Sequence, residues 1–174
     1  MYKKELEIAI EAAIEAGKEI LNVYHSNDFS IEEKEDKSPL TLADKNAHNK
    51  IMEYLSRLDI PVLSEEGREI PHSERKDWDL LWIVDPLDGT KEFIKKNDEF
   101  TVNIAYMQNN LPVFGVVYAP ALDELYWGSV EKGAYKSIAG DSFNPIRVKS
   151  QLNNPVQIAT SRSHPSSKMD NFLA

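Results

Sequence analysis

Carboxylates and hydroxyls cluster in three short stretches of this chain, and their oxygens suit one kind of chemistry. The densest stretch is Asp85-Pro86-Leu87-Asp88-Gly89-Thr90. Pro86 fixes its φ and gives up an N–H, while Gly89 permits a backbone conformation that a Cβ would forbid. Two aspartates three residues apart on such a turn can point at one place. Carboxylates held together repel unless a cation neutralises them or one takes up a proton. A hard divalent cation with oxygen ligands is the natural partner, and the Leu87 carbonyl and Thr90 hydroxyl are further oxygens within reach. Upstream, Ser64-Glu65-Glu66-Gly67 ends a short apolar run, and Thr41-Leu42-Ala43-Asp44 opens a helical pattern after Ser38-Pro39. Chemistry alone does not separate Glu65 from Glu66. One such turn can simply be solvated; three acidic, turn-borne sites favour a metal cluster.

The elements that must position these groups follow from apolar periodicity. Leu6, Ile10, Ala13, Ile14, Gly17, Ile20, Leu21 and Tyr24 form a helical stripe, which predicts a helix over Tyr2 to His25. Gly17 on that stripe permits a close helix contact. Phe29 to Lys34 can be an extended strand, and Glu35 to Pro39 a polar loop holding Lys37 at the surface. Ser38 or Thr41 caps a second helix, Leu42 to Leu58. Glu66 to Lys76 is charged and aperiodic, hence a surface loop. The expected strands are Leu80 to Val84, Phe100 to Met107, Val113 to Tyr118, Glu124 to Ser129 and a short one at Gly133 to Lys136. Asn109-Asn110 and Pro120 to Asp123 are turns between them. Helices followed by hairpin-linked strands predict an α+β fold, an antiparallel sheet packed with two N-terminal helices. Near Asn154-Pro155 a boundary is expected. It divides a metal-binding unit, residues 1–153, from residues 154–174, where Val156 to Thr160 reads as the first strand of a second domain. His25, His48 and His72 read as surface residues, and the tryptophans, tyrosines and phenylalanines as core.

The chain has 174 residues, 41% hydrophobic and 28% charged, enough for one real core. A net charge of −9 argues against binding a nucleic-acid polymer, which needs lysine and arginine to replace counterions. It does not argue against a small nucleotide at a metal site, where the metal supplies positive charge locally. The absence of cysteine excludes disulfides, zinc-thiolate sites and cysteine nucleophiles. The charged N-terminus lacks the apolar core of a signal peptide, and no apolar run approaches a membrane span. A cytoplasmic protein is the expectation, with peripheral contact at the inner membrane left open.

SPLTLAD (38–44), SEEG (64–67) and DPLDGT (85–90) closely resemble the magnesium-dependent, lithium-sensitive inositol monophosphatase-like phosphatases. From Trp82 to Pro120, with DPLDGTKEFIKKNDEFTVNIA and GVVYAP, the chain is similar to that family's CysQ branch. Members of that branch are 3'(2'),5'-bisphosphate nucleotidases acting on 3'-phosphoadenosine 5'-phosphate. The resemblance implies a layered α-β-α-β-α sugar-phosphatase fold, of which this chain supplies the first sheet layer and its helices. It implies two or three magnesium ions, with lithium as inhibitor. Glu65, Asp85 and the Leu87 carbonyl would hold one ion, and Asp85 and Asp88 a second. Asp44 and Thr90 match the pair that polarises the attacking water. Asp88, Gly89 and Thr90 would face the phosphate, and Ser161, Arg162 and His164 the nucleotide; read without the family, Ser161 to His164 is a polar loop. The family match favours Glu65 over Glu66. One departure stands out: the family's Trp-Asp motif, whose aspartate is another metal ligand, has no counterpart after residue 91, and Trp78-Asp79 lies upstream of the metal turn. The expectation is therefore the N-terminal part of such an enzyme, with self-association through the face left by a missing C-terminal half. Inositol monophosphate or a sugar phosphate is the alternative substrate, and a non-catalytic domain the alternative role.

Overall fold

A computed structural model describes residues 2–26, 29–33, 39–151, 154–160 and 167–173. Helix α1, Lys3–Ser26, and helix α2, Leu42–Leu55, lie against one face of a seven-stranded sheet. The sheet runs β3 (Val62–Ser64), β4 (Leu80–Asp88), β5 (Thr101–Gln108), β6 (Leu111–Ala119), β7 (Glu124–Ser129), β8 (Gly133–Ile138) and β9 (Asn144–Ile146), each beside the next. Two-residue strands β1 (Glu32–Glu33) and β2 (Pro39–Leu40) pair separately. Single turns α3 (His72–Arg75) and α4 (Thr90–Ile94) follow β3 and β4, and α5 spans Ser167–Leu173.

The core is the side of the sheet that faces the helices. Alternate residues Trp82 and Val84, Val102, Ile104 and Tyr106, then Phe114, Val116 and Tyr118 point inward. They meet Ala9, Ala12, Ala13, Ala16 and Ile20 of α1 and Ala43, Ala47, Ile51 and Leu55 of α2. Small residues along α1 let it lie close. At Gly17 an added Cβ would stand 2.8 Å from Tyr118 Cδ1 and 3.1 Å from Pro120 Cβ, which bears out the expected close contact. Along the opposite face Ala105, Gly115, Gly128 and Ala134 fall in one cross-strand row. A second apolar centre, Tyr24, Phe29, Phe93 and Phe100, has ring centroids 5.0–5.3 Å apart and anchors α4 from behind. No helix among the described residues is long and apolar enough to cross a membrane.

The α+β reading holds, and several expectations need correction. The sheet is not wholly antiparallel: β3 pairs parallel with β4, Ser64 opposite Val84. Strand β4 does not stop at Val84 but runs to Asp88 through Pro86, with a register shift between Asp85 and Asp88. The missing N–H of Pro86 is tolerated because it falls in that bulge. The segment Glu66 to Lys76 contains the α3 turn, and Asn144–Ile146 adds an unexpected edge strand. Of the strand expected over Phe29 to Lys34, the described residues form only Glu32–Glu33. Val156 to Thr160 has no strand pairing, since a strand forms only beside a partner that takes its backbone hydrogen bonds. Phe143 and Phe172 are exposed, not core. Asn109 and Asn110 both have positive φ, as a two-residue hairpin turn requires.

Candidate metal and phosphate site

Parallel pairing of β3 with β4 makes the site. Because the two strands end on the same side, the residues that follow Ser64 and Val84 in register are neighbours: Glu65 and Asp85. The Glu65 N–H donates to the Val84 carbonyl at 3.0 Å, carrying the pairing one residue beyond β3. The Glu65 side chain shares a hydrogen bond with Asp85. An antiparallel neighbour would have put the two carboxylates at opposite ends of the sheet.

The bulge then brings in the second aspartate. Asp85 lies opposite Asn103 and Asp88 opposite Thr101, so three residue steps on β4 span two on β5. The extra residue re-aims the strand's end, as bulges do beside functional sites. Asp88 Oδ2 accepts from Asn103 Nδ2 at 3.2 Å, and Asn103 Oδ1 in turn accepts from Thr101 Oγ1 at 3.2 Å. Gly89 closes the bulge at φ +94, and a Cβ there would stand 2.8 Å from the Glu99 carbonyl oxygen. Gly89→Ala is therefore expected to cost about 1–2 kcal/mol for the left-handed backbone alone, with the clash adding to it. It should also lower any activity that depends on Thr90. Urea unfolding checks this, and unchanged stability would contradict it.

Thr90 opens α4 and turns its hydroxyl back. Oγ1 lies 3.2 Å from Asp44 Oδ1 and 3.3 Å from the Leu87 carbonyl oxygen, and its single hydrogen can serve one at a time. Asp44, in the first turn of α2, is almost fully buried. Its Oδ2 accepts from the Thr41 N–H at 2.7 Å and the Thr41 hydroxyl at 2.6 Å. Burial raises the Asp44 carboxyl above its ordinary range, and the hydrogen bonds from Thr41 and Thr90 pull it back part of the way. Asp44 thus caps its helix with one oxygen and offers the other to Thr90.

The acidic group itself is electrostatically crowded. The Asp85 carboxyl is pushed up to about 7, first by burial and then by the charges of Glu65 and Asp88. Among the described residues no three acidic or imidazole groups close a cage by themselves; Asp88 leans instead on Asn103. The donor set is nevertheless hard oxygen throughout: carboxylates of Glu65, Asp85 and Asp88 and the Leu87 carbonyl. Such a set suits magnesium or calcium rather than a soft metal, and a cation would offset the burial and the like charges that raise Asp85.

Of the residues singled out from sequence, Glu65, Asp85 and Asp88 form one interacting group. The hydrogen bonds of Thr90 tie the Leu87 carbonyl and Asp44 beside it. The Glu65 side chain is hydrogen-bonded to Asp85. Ser161, Arg162 and His164 lie outside the described residues. Sequence reasoning missed Asn103 and His48, whereas Thr41, expected as a helix cap, is the N-cap of α2 and binds Asp44 as well. His48 is half-buried, not a surface residue, and its Nδ1 lies 2.9 Å from Ser64 Oγ. The available signal was spacing: His48 follows Asp44 by four residues, hence on the same face of α2.

A sequence model of the inositol monophosphatase family matches residues 1–173. The chain is 44% identical to the 3'(2'),5'-bisphosphate nucleotidase CysQ of Salmonella typhimurium, over 97% of this chain and 68% of that protein. With CysQ of Haemophilus influenzae it shares 33% identity, over 92% of this chain and 60% of that protein. Among solved structures, CysQ from Bacteroides thetaiotaomicron superposes with a TM-score of 0.76 at 39% identity, covering 99% of this chain and 68% of that one. An inositol monophosphatase from Thermotoga maritima superposes with a TM-score of 0.70 at 27% identity, covering 86% and 55%.

Proposed function

The chain belongs to the inositol monophosphatase family, and from that premise we propose that it is a magnesium-dependent phosphomonoesterase. In this reading it removes the 3'-phosphate of 3'-phosphoadenosine 5'-phosphate, leaving AMP and phosphate. The observation that carries the phosphatase reading is the convergence of Glu65, Asp85 and Asp88 beside a hydrogen-bonded Thr90–Asp44 pair. The nucleotide is favoured because the CysQ relatives at up to 44% identity bear a bisphosphate nucleotidase name.

Glu65, Asp85, Asp88 and the Leu87 carbonyl would hold the cation. When bound, the cation supplies Lewis acidity and neutralises charge on the phosphate. This chain's own groups then handle the proton. A threonine hydroxyl is a poor base alone and needs a carboxylate behind it. As Thr90 gives its hydrogen to Asp44 Oδ1, its oxygen can take one from a water beside the phosphorus. That water attacks in line, the P–O bond to the ribose 3' oxygen breaks, and the leaving oxygen takes up a proton from solvent water, while the proton passed to Asp44 is later returned to solvent. The N–H groups of Gly89 and Thr90 orient the phosphate, and Ser161, Arg162 and His164 are assigned to the nucleotide.

Phosphate release from 3'-phosphoadenosine 5'-phosphate, beside inositol 1-phosphate and a no-metal control, tests the proposal. Faster release from the nucleotide, and only with magnesium, is expected. Preference for inositol 1-phosphate would overturn the substrate, and release from neither would overturn the activity of this chain.

A further inference from the structure

We propose that His48 is a positioning residue: its hydrogen bond to Ser64 ties the turn that carries Glu65 to the helix that carries Asp44. The proposal rests on the reading of Glu65 and Asp85 as cation ligands. The site is assembled from three parts of the chain: Asp85, Asp88 and Thr90 from β4 and α4, Asp44 from α2 and Glu65 from the end of β3. Asp44 is linked to Thr90 across 3.2 Å. Glu65 shares a side-chain hydrogen bond with Asp85, and as a cation ligand it also depends on how firmly the turn after β3 is tied.

The backbone supplies part of that tie, through the Glu65 N–H on Val84 and the Gly67 N–H on the Ser64 carbonyl at 3.1 Å. The side-chain part comes from α2. One turn beyond Asp44, His48 Nδ1 meets the buried Ser64 hydroxyl at 2.9 Å. The ring lies over the turn, since a Cβ added at Gly67 would stand 3.2 Å from the Ser64 carbonyl oxygen and 3.7 Å from His48 Cε1. Asp44 and His48 thus use one face of one helix to hold Thr90 and Ser64, the residue before Glu65. Burial lowers the His48 imidazole below the ordinary histidine value, which disfavours its charged form beside the carboxylates. Partners one step behind the ligands fix orientation to within about 0.5 Å, which a loose turn cannot.

His48 and Ser64 border a solvent-open hollow of about 390 Å³, together with Met52, Val62 and Trp78. Truncating the ring enlarges an existing space instead of opening a sealed one, so the fold should tolerate it. The experiment is magnesium titration by calorimetry, with kcat and the magnesium requirement measured in parallel, on the parent, His48→Ala, His48→Asn and Ser64→Ala. Loss of a partner behind a metal ligand typically weakens metal affinity about ten- to hundredfold, and His48→Ala and Ser64→Ala should fall in that range with circular dichroism unchanged. His48→Asn, whose amide nitrogen can stand where Nδ1 stands, should recover most of the affinity. Unchanged affinity in His48→Ala, or a loss that Asn fails to rescue, overturns the positioning role. Should His48→Ala not fold, Ser64→Ala decides, since unchanged affinity there also overturns it. A parent that binds no magnesium overturns the metal site itself, and with it the proposal.

Discussion

Asp85→Asn should leave the metal-free protein more stable than the parent and almost without metal-dependent turnover. Both halves come from one cause. Asp85 sits part-buried between Glu65 and Asp88, and its carboxyl holds a proton up to about pH 7. The unfolded chain releases that proton near the ordinary carboxylate value, so between about pH 4 and 7 the folded state binds more protons than the unfolded one. Stability contributed by this group is present below pH 4, falls as the pH climbs towards 7, and is flat above. Asparagine removes the charge and the decline with it, keeping the side chain's size and a hydrogen bond to Glu65. Thermal denaturation in the absence of metal, from pH 4 to 8, should therefore show the parent losing ground to the variant. Divalent cations should reverse the order by binding only the parent. The same substitution takes one anionic ligand from the centre of the cluster, and turnover should fall by about two to three orders of magnitude or more. A variant as active as the parent would remove Asp85 from the metal site.

Asp44→Asn is the second large effect, and it separates proton handling from metal binding. Asp44 accepts three hydrogen bonds, two from Thr41 and one from Thr90. An amide can accept on its oxygen but presents N–H donors on the other side, so either the helix cap or Thr90 loses its acceptor. If the oxygen stays with Thr41, Thr90 faces a donor and can no longer pass on a proton. General-base contributions run at roughly 100- to 10,000-fold, and kcat should fall within that range while magnesium affinity stays near the parent's. If the amide turns the other way, the capping loss appears as about 1 kcal/mol of stability. Steady-state kinetics beside metal titration distinguish the cases. A variant that keeps full kcat would leave Thr90–Asp44 a structural contact.

Much of this site was legible in the chain because it is written in turn chemistry and short apolar runs. Asp85, Asp88 and Gly89 stand out since a proline and a glycine punctuate two acids within six residues. Asp44 stands out as an acid at a helix start. What sequence could not give was direction. A three-residue strand such as Val62–Ser64 reads the same whether it pairs parallel or antiparallel, yet the parallel pairing is what brings Glu65 to Asp85. Pro86 suggested the end of β4, because a proline's missing N–H matters only where a ladder bond is needed, and bulge placement is a tertiary fact. Asn144–Ile146 escaped notice as a three-residue edge strand containing Pro145. His48 was read as exposed for the same reason as the sheet direction. Spacing places His48 on the Asp44 face of α2, but it does not say that the β3 turn covers that face.

The central claim is that Glu65, Asp85, Asp88 and the Leu87 carbonyl form a divalent-cation site. Anomalous diffraction from crystals of this chain grown with manganese tests it most directly, since manganese takes the same oxygen ligands as magnesium. The prediction is an anomalous peak within ligand distance of the Glu65 and Asp85 carboxylates and the Leu87 carbonyl, with Asp88 drawn from Asn103 towards a cation. Manganese bound elsewhere, with these carboxylates ordered and metal-free, would contradict it.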